Sequence, residues 1–230
     1  MKIAIRGGHN VQSQGANGIL NEVVEDRKIY ASVMKWLKLD KHEVIDVTPY
    51  SCVSAEDLKR GVSDANIHKC DVFVSIHLNA GGGKGTEVLY HANSAKGKEF
   101  ATRVCNCMDK LGFVNRGAKS DVRGLYELKH TNMPAIIVEA FFCDSAADVV
   151  IYQKVGVDEL GKAIAEGIVG HEIKEVKPVV IASTFNYTLE FQKFYNKLPG
   201  IKEKLTEDGF WGNKTFAGLN ALETLMRGDK

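Results

Sequence analysis

Asp71-Val72-Phe73-Val74-Ser75-Ile76-His77-Leu78-Asn79-Ala80 decides the fold. Residues 71–78 alternate poorly and are mostly apolar, as in a central strand covered on both faces. His77 stands at the carboxyl end of that strand. Upstream, the short apolar run 2–6 meets Gly7-Gly8 and reads as a buried strand followed by a tight turn. Residues 11–18 are polar and glycine-containing, hence a loop. From Glu22 onward, Val23, Val24, the stem of Arg27, Tyr30, Val33, Met34 and Leu37 recur at helical spacing. Glu22 then sits in the first turn, where the helix dipole favours a carboxylate. Residues 43–48 read as a second strand, and Leu58, Val62 and Ala65 mark one side of a helix over 55–69. Downstream, Gly81-Gly82-Gly83 links to a strand at Thr86–His91. Phe100, Val104, Met108 and Leu111 mark a helix. Ala135–Phe142 is a continuous apolar strand interrupted by Glu139, and Leu160, Ile164 and Ile168 mark a closing helix. Strands alternating with helices predict an α/β unit, a mostly parallel twisted sheet with helices on both faces. In such sheets ligands gather at the carboxyl ends of the strands, where His9, His77 and Glu139 fall.

Periodicity fails between Ile173 and Ser183, around Pro178, so the expected organisation is a unit over 1–172, a linker over 173–183 and a small helical module over 184–230. Leu189, Phe191, Phe194, Tyr195 and Leu198 give one helical pattern there, and Phe216, Leu219, Leu222 and Leu225 a second. Between them two glycine turns flank Phe210-Trp211. A module this short is near the lower limit for an independent core.

A hydrophobic fraction of 44% with 26% charged residues is that of a soluble globular protein. The net charge of +1 and the lack of a basic face argue against a nucleic-acid partner. No apolar run approaches a membrane span, so no insertion is expected. Cys52, Cys70, Cys105, Cys107 and Cys143 are odd in number and lack a spaced framework, which suits reduced thiols and folding in a cytosol. Cys105 and Cys107 would point to different faces of a helix, so the pair is not read as a metal site. The strand beginning at Lys2 leaves no room for a cleavable signal, so delivery to any substrate outside the cytoplasm would need another agent.

Four separated segments each offer one residue of a hydrolytic metal site. His9 follows Gly7-Gly8, Glu22 opens the first helix, His77 ends the central strand and Glu139 interrupts the late strand. Two imidazoles and a carboxylate make a three-ligand set that leaves a coordination position open for water, and they suit one Zn2+ ion. A further carboxylate beside that water can take its proton, and Glu139 is assigned this general base role. Taken singly, His9 could cap a turn and Glu22 could be an ordinary first-turn glutamate. His77 and Glu139 resist such readings, because a buried imidazole or carboxylate needs a partner. The set names metal-assisted hydrolysis as the reaction class. His42, His68 and His171 sit beside charged residues and are left to solvent, and the serines show no nucleophile elbow.

Gly8-His9-Asn10, Asn21-Glu22, the stretch 71–80 and Pro134-Ala135-Ile136-Ile137-Val138-Glu139 resemble, in order, the zinc-dependent N-acetylmuramoyl-L-alanine amidases of the type 3 family. Gly85-Thr86-Glu87-Val88 and Arg116-Gly117-Ala118 also look like family segments. The resemblance spans roughly residues 1–172. It implies zinc at His9, Glu22 and His77, Glu139 as acid/base, and cleavage of the amide between N-acetylmuramic acid and L-alanine in peptidoglycan. Where the family usually carries a longer acidic glycine motif after the first histidine, this chain has residues 10–18. The texture resembles clostridial phage and prophage endolysins, which implies action on the wall after release through a holin pore or by a non-classical route. The tail resembles a small helical peptidoglycan-binding module through Leu189, Lys193-Phe194-Tyr195-Asn196, Asp208-Gly209-Phe210-Trp211-Gly212 and Thr215. Phe210 and Trp211 are candidates for holding wall, with packing inside the module as the competing role. Asn79 and Arg123 are candidates for contacting substrate opposite the metal. Two alternatives remain at this point, a zinc peptidase or carboxypeptidase acting on wall peptides and an inactive wall-binding protein. Oligomeric state is not legible.

Overall fold

The computed structural model describes residues 1–174, 187–199, 201 and 203–227. The chain divides into two compact units, Met1–Glu175 and Val176–Lys230. Most of the expected linker lies outside the described residues. Its first residue does not: Ile173 is buried in the core of the first unit, and its N–H donates to Glu166 Oε1 at 3.0 Å. The first unit therefore extends past the expected boundary at 172, because an apolar side chain there completes the packing.

In the first unit the elements run β1 Lys2–Gly7, α1 Glu22–Leu39, β2 Glu43–Asp46, α2 Ser54–Ile67, β3 Val72–Asn79, β4 Thr86–His91, α3 Ala95–Lys110, β5 Asn115–Asp121, α4 Tyr126–His130, β6 Ala135–Phe142, α5 Ala146–Val155 and α6 Val157–Val169. One sheet holds the six strands in the order β2-β1-β3-β6-β4-β5. All neighbouring pairs are parallel except β4 against β6. The reversal follows from the link 80–85, which is too short for the crossover that a strand parallel to β3 would need. Helix α3 then supplies a crossover of ordinary length, and β5 returns parallel to β4.

Alternate side chains of the central strands enter two cores, which is why their sequences read as unbroken apolar runs. On one face Ile3, Ile5, Val74, Ile76, Val138 and Val88 pack with Ile29, Val33 and Leu37 of α1, Val104 and Met108 of α3, and Ile164 and Ile168 of α6. On the other, Ala4, Phe73, Leu89 and Ile137 pack with Ala65 of α2 and Leu128 of α4. Each large aliphatic group so buried contributes about 1.5–3 kcal/mol. Helix α6 comes close to its neighbours because Gly161 lies against Ser32 and Gly167 against Val104, leaving no space for a Cβ. Among the described residues, the helices packed on the second face are α2 and the short α4. Near the carboxyl ends of β1 and β3, and within β6 at Glu139, the sheet carries polar side chains.

Three elements escape the sequence pattern. Strand β5 is an edge strand with mostly exposed or half-exposed side chains, so it has no apolar alternation to display. Helix α4 is a single short turn, and α5 opens on a Ser145 cap whose hydroxyl accepts from Asp148 N–H. Among the described residues, no helix is long and apolar enough to cross a membrane.

The second unit contains α7 Tyr187–Lys197 and α8 Asn213–Arg227. Its interior uses polar pins as well as apolar contact. The buried Gln192 amide donates to Asp208 Oδ1 at 2.8 Å and the Phe210 carbonyl at 3.1 Å, and accepts from Gly209 N–H at 2.9 Å. Asn196 and Leu205 exchange hydrogen bonds of 2.8 and 2.7 Å.

Candidate metal centre and active site

Strand β1 continues one step beyond its end, where Gly8 N–H donates to Ile76 O at 2.7 Å. His9 then turns out with φ 53°, in the left-handed region that non-glycine residues occupy at a cost. Arg27 of α1 holds it there. Its guanidinium donates to the carbonyl of Gly8 at 2.8 Å and that of His9 at 2.7 Å. The two preceding glycines, expected as a tight turn, serve lateral room instead. A Cβ on Gly7 would collide with the Arg27 guanidinium, and one on Gly8 would lie 2.5 Å from His77 Nε2.

Asn21 caps α1 by accepting from Val24 N–H at 3.0 Å, which fixes Glu22 in the first turn. Glu22 points inward and is almost completely buried. One carboxylate oxygen accepts from Ala16 N–H at 2.6 Å and the other from Leu78 N–H at 3.1 Å. The polar loop between His9 and α1 is thus the cover of this carboxylate. Gly15 sits so close that a Cβ there would strike Glu22 and lie 2.5 Å from His9 Cδ2.

His77 Nδ1 lies 3.1 Å from Glu22 Oε1, and His9 Nε2 lies 3.5 Å from the same oxygen. One ligand atom from each of the three residues falls within 4.8 Å of the others. Two nitrogens and a carboxylate oxygen converging in this way suit zinc. Burial and the neighbouring His77 hold the His9 pKa below its ordinary value, so its ring is available as a neutral donor. Burial works against Glu22, but the His77 hydrogen bond and charge and the Ala16 N–H outweigh it and keep the group ionised. His77 rises to about 9 in the metal-free protein: the Glu22 hydrogen bond and the charges of Glu139, Glu127 and Glu22 override its burial. A cation in the pocket would replace that stabilised proton.

Glu139 lies opposite His77 in the β3–β6 register and opposite Glu87 in the β4–β6 register. A register shift in the β3–β6 pairing follows immediately, between His77 and Asn79. Glu139 is half-buried rather than fully enclosed as its strand suggested. Burial, opposed by His77 and assisted by Glu22 and Glu87, pushes its pKa to about 7.

Asn79 has work of its own. Its amide donates to Glu87 Oε1 at 2.9 Å while Arg116 Nε reaches Glu87 Oε2 at 2.7 Å. Asn79 therefore restrains the carboxylate facing Glu139, and its Oδ1 accepts from Ala80 N–H. Arg123 is exposed, and its charge opposes the rise in the Glu139 pKa. In the second unit Phe210 is 72% exposed and Trp211 45%, so packing inside the module does not account for Phe210. Trp211 lies 5.4 Å from Phe191 between ring centroids.

The sequence reading passed over the buried polar residues behind the ligands. Arg6, Asp57, Glu127, Ser75 and Asn10 are all nearly inaccessible. Arg6 was the available signal, since an arginine inside a buried strand requires carboxylates.

Comparison with known proteins identifies the family of the first unit. The family model described as N-acetylmuramoyl-L-alanine amidase, Amidase_3, matches residues 3–170. The uncharacterized protein CPE1502 of Clostridium perfringens is 42% identical over 77% of this chain and 55% of its own length. The endolysin of Bacillus phage SPP1 is 31% identical over 70% of this chain and 62% of its own. The chain thus spans little more than half the length of the curated relatives it matches. Among solved structures, the catalytic domain of the CD27L endolysin targeting Clostridia difficile superimposes with a TM-score of 0.70 at 33% identity, covering 76% of this chain and 99% of that one. With the family model spanning nearly all of the first unit, the chain belongs to the Amidase_3 family of N-acetylmuramoyl-L-alanine amidases.

Proposed function

We propose that the first unit hydrolyses the amide joining the lactyl group of N-acetylmuramic acid to L-alanine in peptidoglycan, using one zinc ion held by His9, Glu22 and His77. The observation that carries this is the convergence of those three side chains with Glu139 in register beside His77. When bound, zinc supplies Lewis acidity, polarising the amide carbonyl and lowering the pKa of water toward about 7. The protein's own groups do the rest. His9 offers a neutral nitrogen because burial disfavours its protonation. Glu22 stays anionic under two backbone N–H donors. Glu139 accepts the proton of the attacking water and returns it to the departing L-alanine nitrogen, a role for which a carboxylate pKa near neutrality is suited. Asn79 and Arg116 restrain Glu87, the carboxylate opposite Glu139 on β4.

The second unit is proposed to retain the enzyme on the wall, a reading supported by the exposure of Phe210 and Trp211. Tethering to an insoluble polymer raises the effective substrate concentration without new catalytic contacts.

Mass spectrometry of purified clostridial wall digested with the zinc-loaded protein tests the reaction, with Glu139→Ala as control. Free stem peptides beginning with L-alanine, beside intact glycan strands, are expected. Shortened peptides still attached to sugar would replace the amidase reading with a peptidase. No release by any wall tested would leave a binding protein.

A further inference from the structure

Behind His77 a chain of polar groups leads away from the pocket. His77 Nε2 lies 3.1 Å from Ser75 Oγ, Ser75 Oγ lies 3.2 Å from Glu127 Oε1, and Arg6 Nη1 lies 3.2 Å from that same oxygen. Arg6 also pairs with Asp57 through Nη2 and donates to the Asp57 carbonyl at 3.2 Å. Asn10, next to the ligand His9, donates to Asp57 Oδ1 at 2.9 Å. None of Arg6, Ser75, Asp57, Glu127 and Asn10 is more than 3% exposed.

The direction of these bonds is forced by chemistry. An ionised carboxylate can only accept, so the single Ser75 hydroxyl hydrogen points to Glu127. The hydroxyl oxygen must then accept from His77, which requires the imidazole hydrogen on Nε2. The lone pair left for a metal is on Nδ1, the nitrogen that faces Glu22.

We propose that Ser75 and Glu127 are positioning residues for the metal centre: Ser75 relays the Nε2–H of His77 to Glu127, Arg6 anchors Glu127, and together they fix His77 with Nδ1 toward the ion. The proposal rests on the zinc reading above. It differs from mere neutralisation of Arg6 by Glu127, because Ser75→Ala leaves that pair intact and cuts only the bridge to His77.

Two measurements on the full chain test it. Zinc affinity is read by chelator competition for the wild type, Ser75→Ala, Glu127→Gln and the double variant, each first shown to unfold cooperatively without metal. Loss of such an outer partner typically weakens metal binding about 10–100-fold, and that loss is expected for Ser75→Ala. Glu127→Gln keeps an acceptor but not the charge and is expected to weaken zinc by several-fold. Because both act through one path, the double variant is expected to bind no more weakly than Ser75→Ala. Should Glu127→Gln fail to fold, Ser75→Ala decides alone. Nitrogen-15 spectra of the zinc-loaded wild type are expected to place the His77 proton on Nε2. Ser75→Ala binding zinc within twofold of the wild type, additive losses in the double variant, or a proton on Nδ1 would each overturn the relay. A wild type that binds no zinc would instead sink the metal reading itself.

Discussion

Substituting Gly8 by alanine adds one methyl group directly against the His77 ring. The new carbon would lie 2.5 Å from His77 Nε2 and nearer still to Cε1 and Nδ1, whereas ordinary van der Waals contact begins near 3.4 Å. The imidazole must move by close to 1 Å, since the other party is the end of β1, paired to β3 through the Gly8 N–H. A metal site tolerates departures of about 0.2 Å in its ligand distances, so a shift of this size removes His77 from the set. Overpacking in the fold itself costs only about 1–3 kcal/mol, and Gly8 has no positive φ to forbid a side chain. The expected outcome is a folded protein, by far-UV circular dichroism, that retains no zinc after dialysis and elemental analysis and does not clear wall suspensions. Gly112→Ala serves as control. Its φ of +100° makes alanine strained by about 1–2 kcal/mol, but its surroundings are open, and zinc should be retained. Full zinc content in Gly8→Ala would refute the reasoning that the glycine exists to admit the His77 ring.

Three further outcomes follow from the same geometry. Glu139→Gln should keep zinc and lose about 10²–10⁴-fold in wall hydrolysis; normal turnover would remove Glu139 from the mechanism. Asp26 is fully buried, with Oδ2 unpartnered, and burial raises its pKa to about 8 despite Arg27. A carboxyl with a raised folded pKa stabilises below its unfolded value of 3.8 and loses that contribution as pH rises toward 8. Urea unfolding of the chelated protein should therefore favour Asp26→Asn over wild type increasingly from pH 5 to 7, by at most about 1.4 kcal/mol per pH unit, and a constant difference would contradict the shift. Phe210→Ala should reduce co-sedimentation with wall by about tenfold, worth 1.4 kcal/mol, and leave cleavage of soluble muropeptides unchanged; unchanged sedimentation would place wall retention elsewhere.

The sequence disclosed what periodicity and burial encode. Thr86–His91 and Ala135–Phe142 read to the residue, and Glu22 was placed in the first turn of its helix, because apolar runs and capping are local signals. His9, Glu22 and His77 were legible as a set through residue chemistry, although of the three only His77 is out of place in its own segment. The antiparallel seam between β4 and β6 was not drawn, although the short 80–85 link contains its cause. Strand β5 was invisible because an edge strand of polar residues shows no pattern. The Arg6–Glu127–Ser75 chain joins residues far apart in sequence, and only the parallel pairing of β1 with β3 brings Arg6 beside Ser75. Asn79, a candidate for substrate contact, bonds along the sheet to Glu87, a partner that no spacing rule identifies.

The strand order also has a consequence for how the molecule is made. Strands β3 and β4 are consecutive in the chain, yet β6 lies between them. Until β6 is in place, β2-β1-β3 and β4-β5 are two ribbons, each with an open edge of unpaired backbone groups. The strand that joins them is synthesised last of the six and carries Glu139. Completion of the sheet and arrival of Glu139 at the site are therefore one event. A nascent chain that stops short of Ala135 has His9, Glu22 and His77 without Glu139, and it offers two sticky edges to its neighbours.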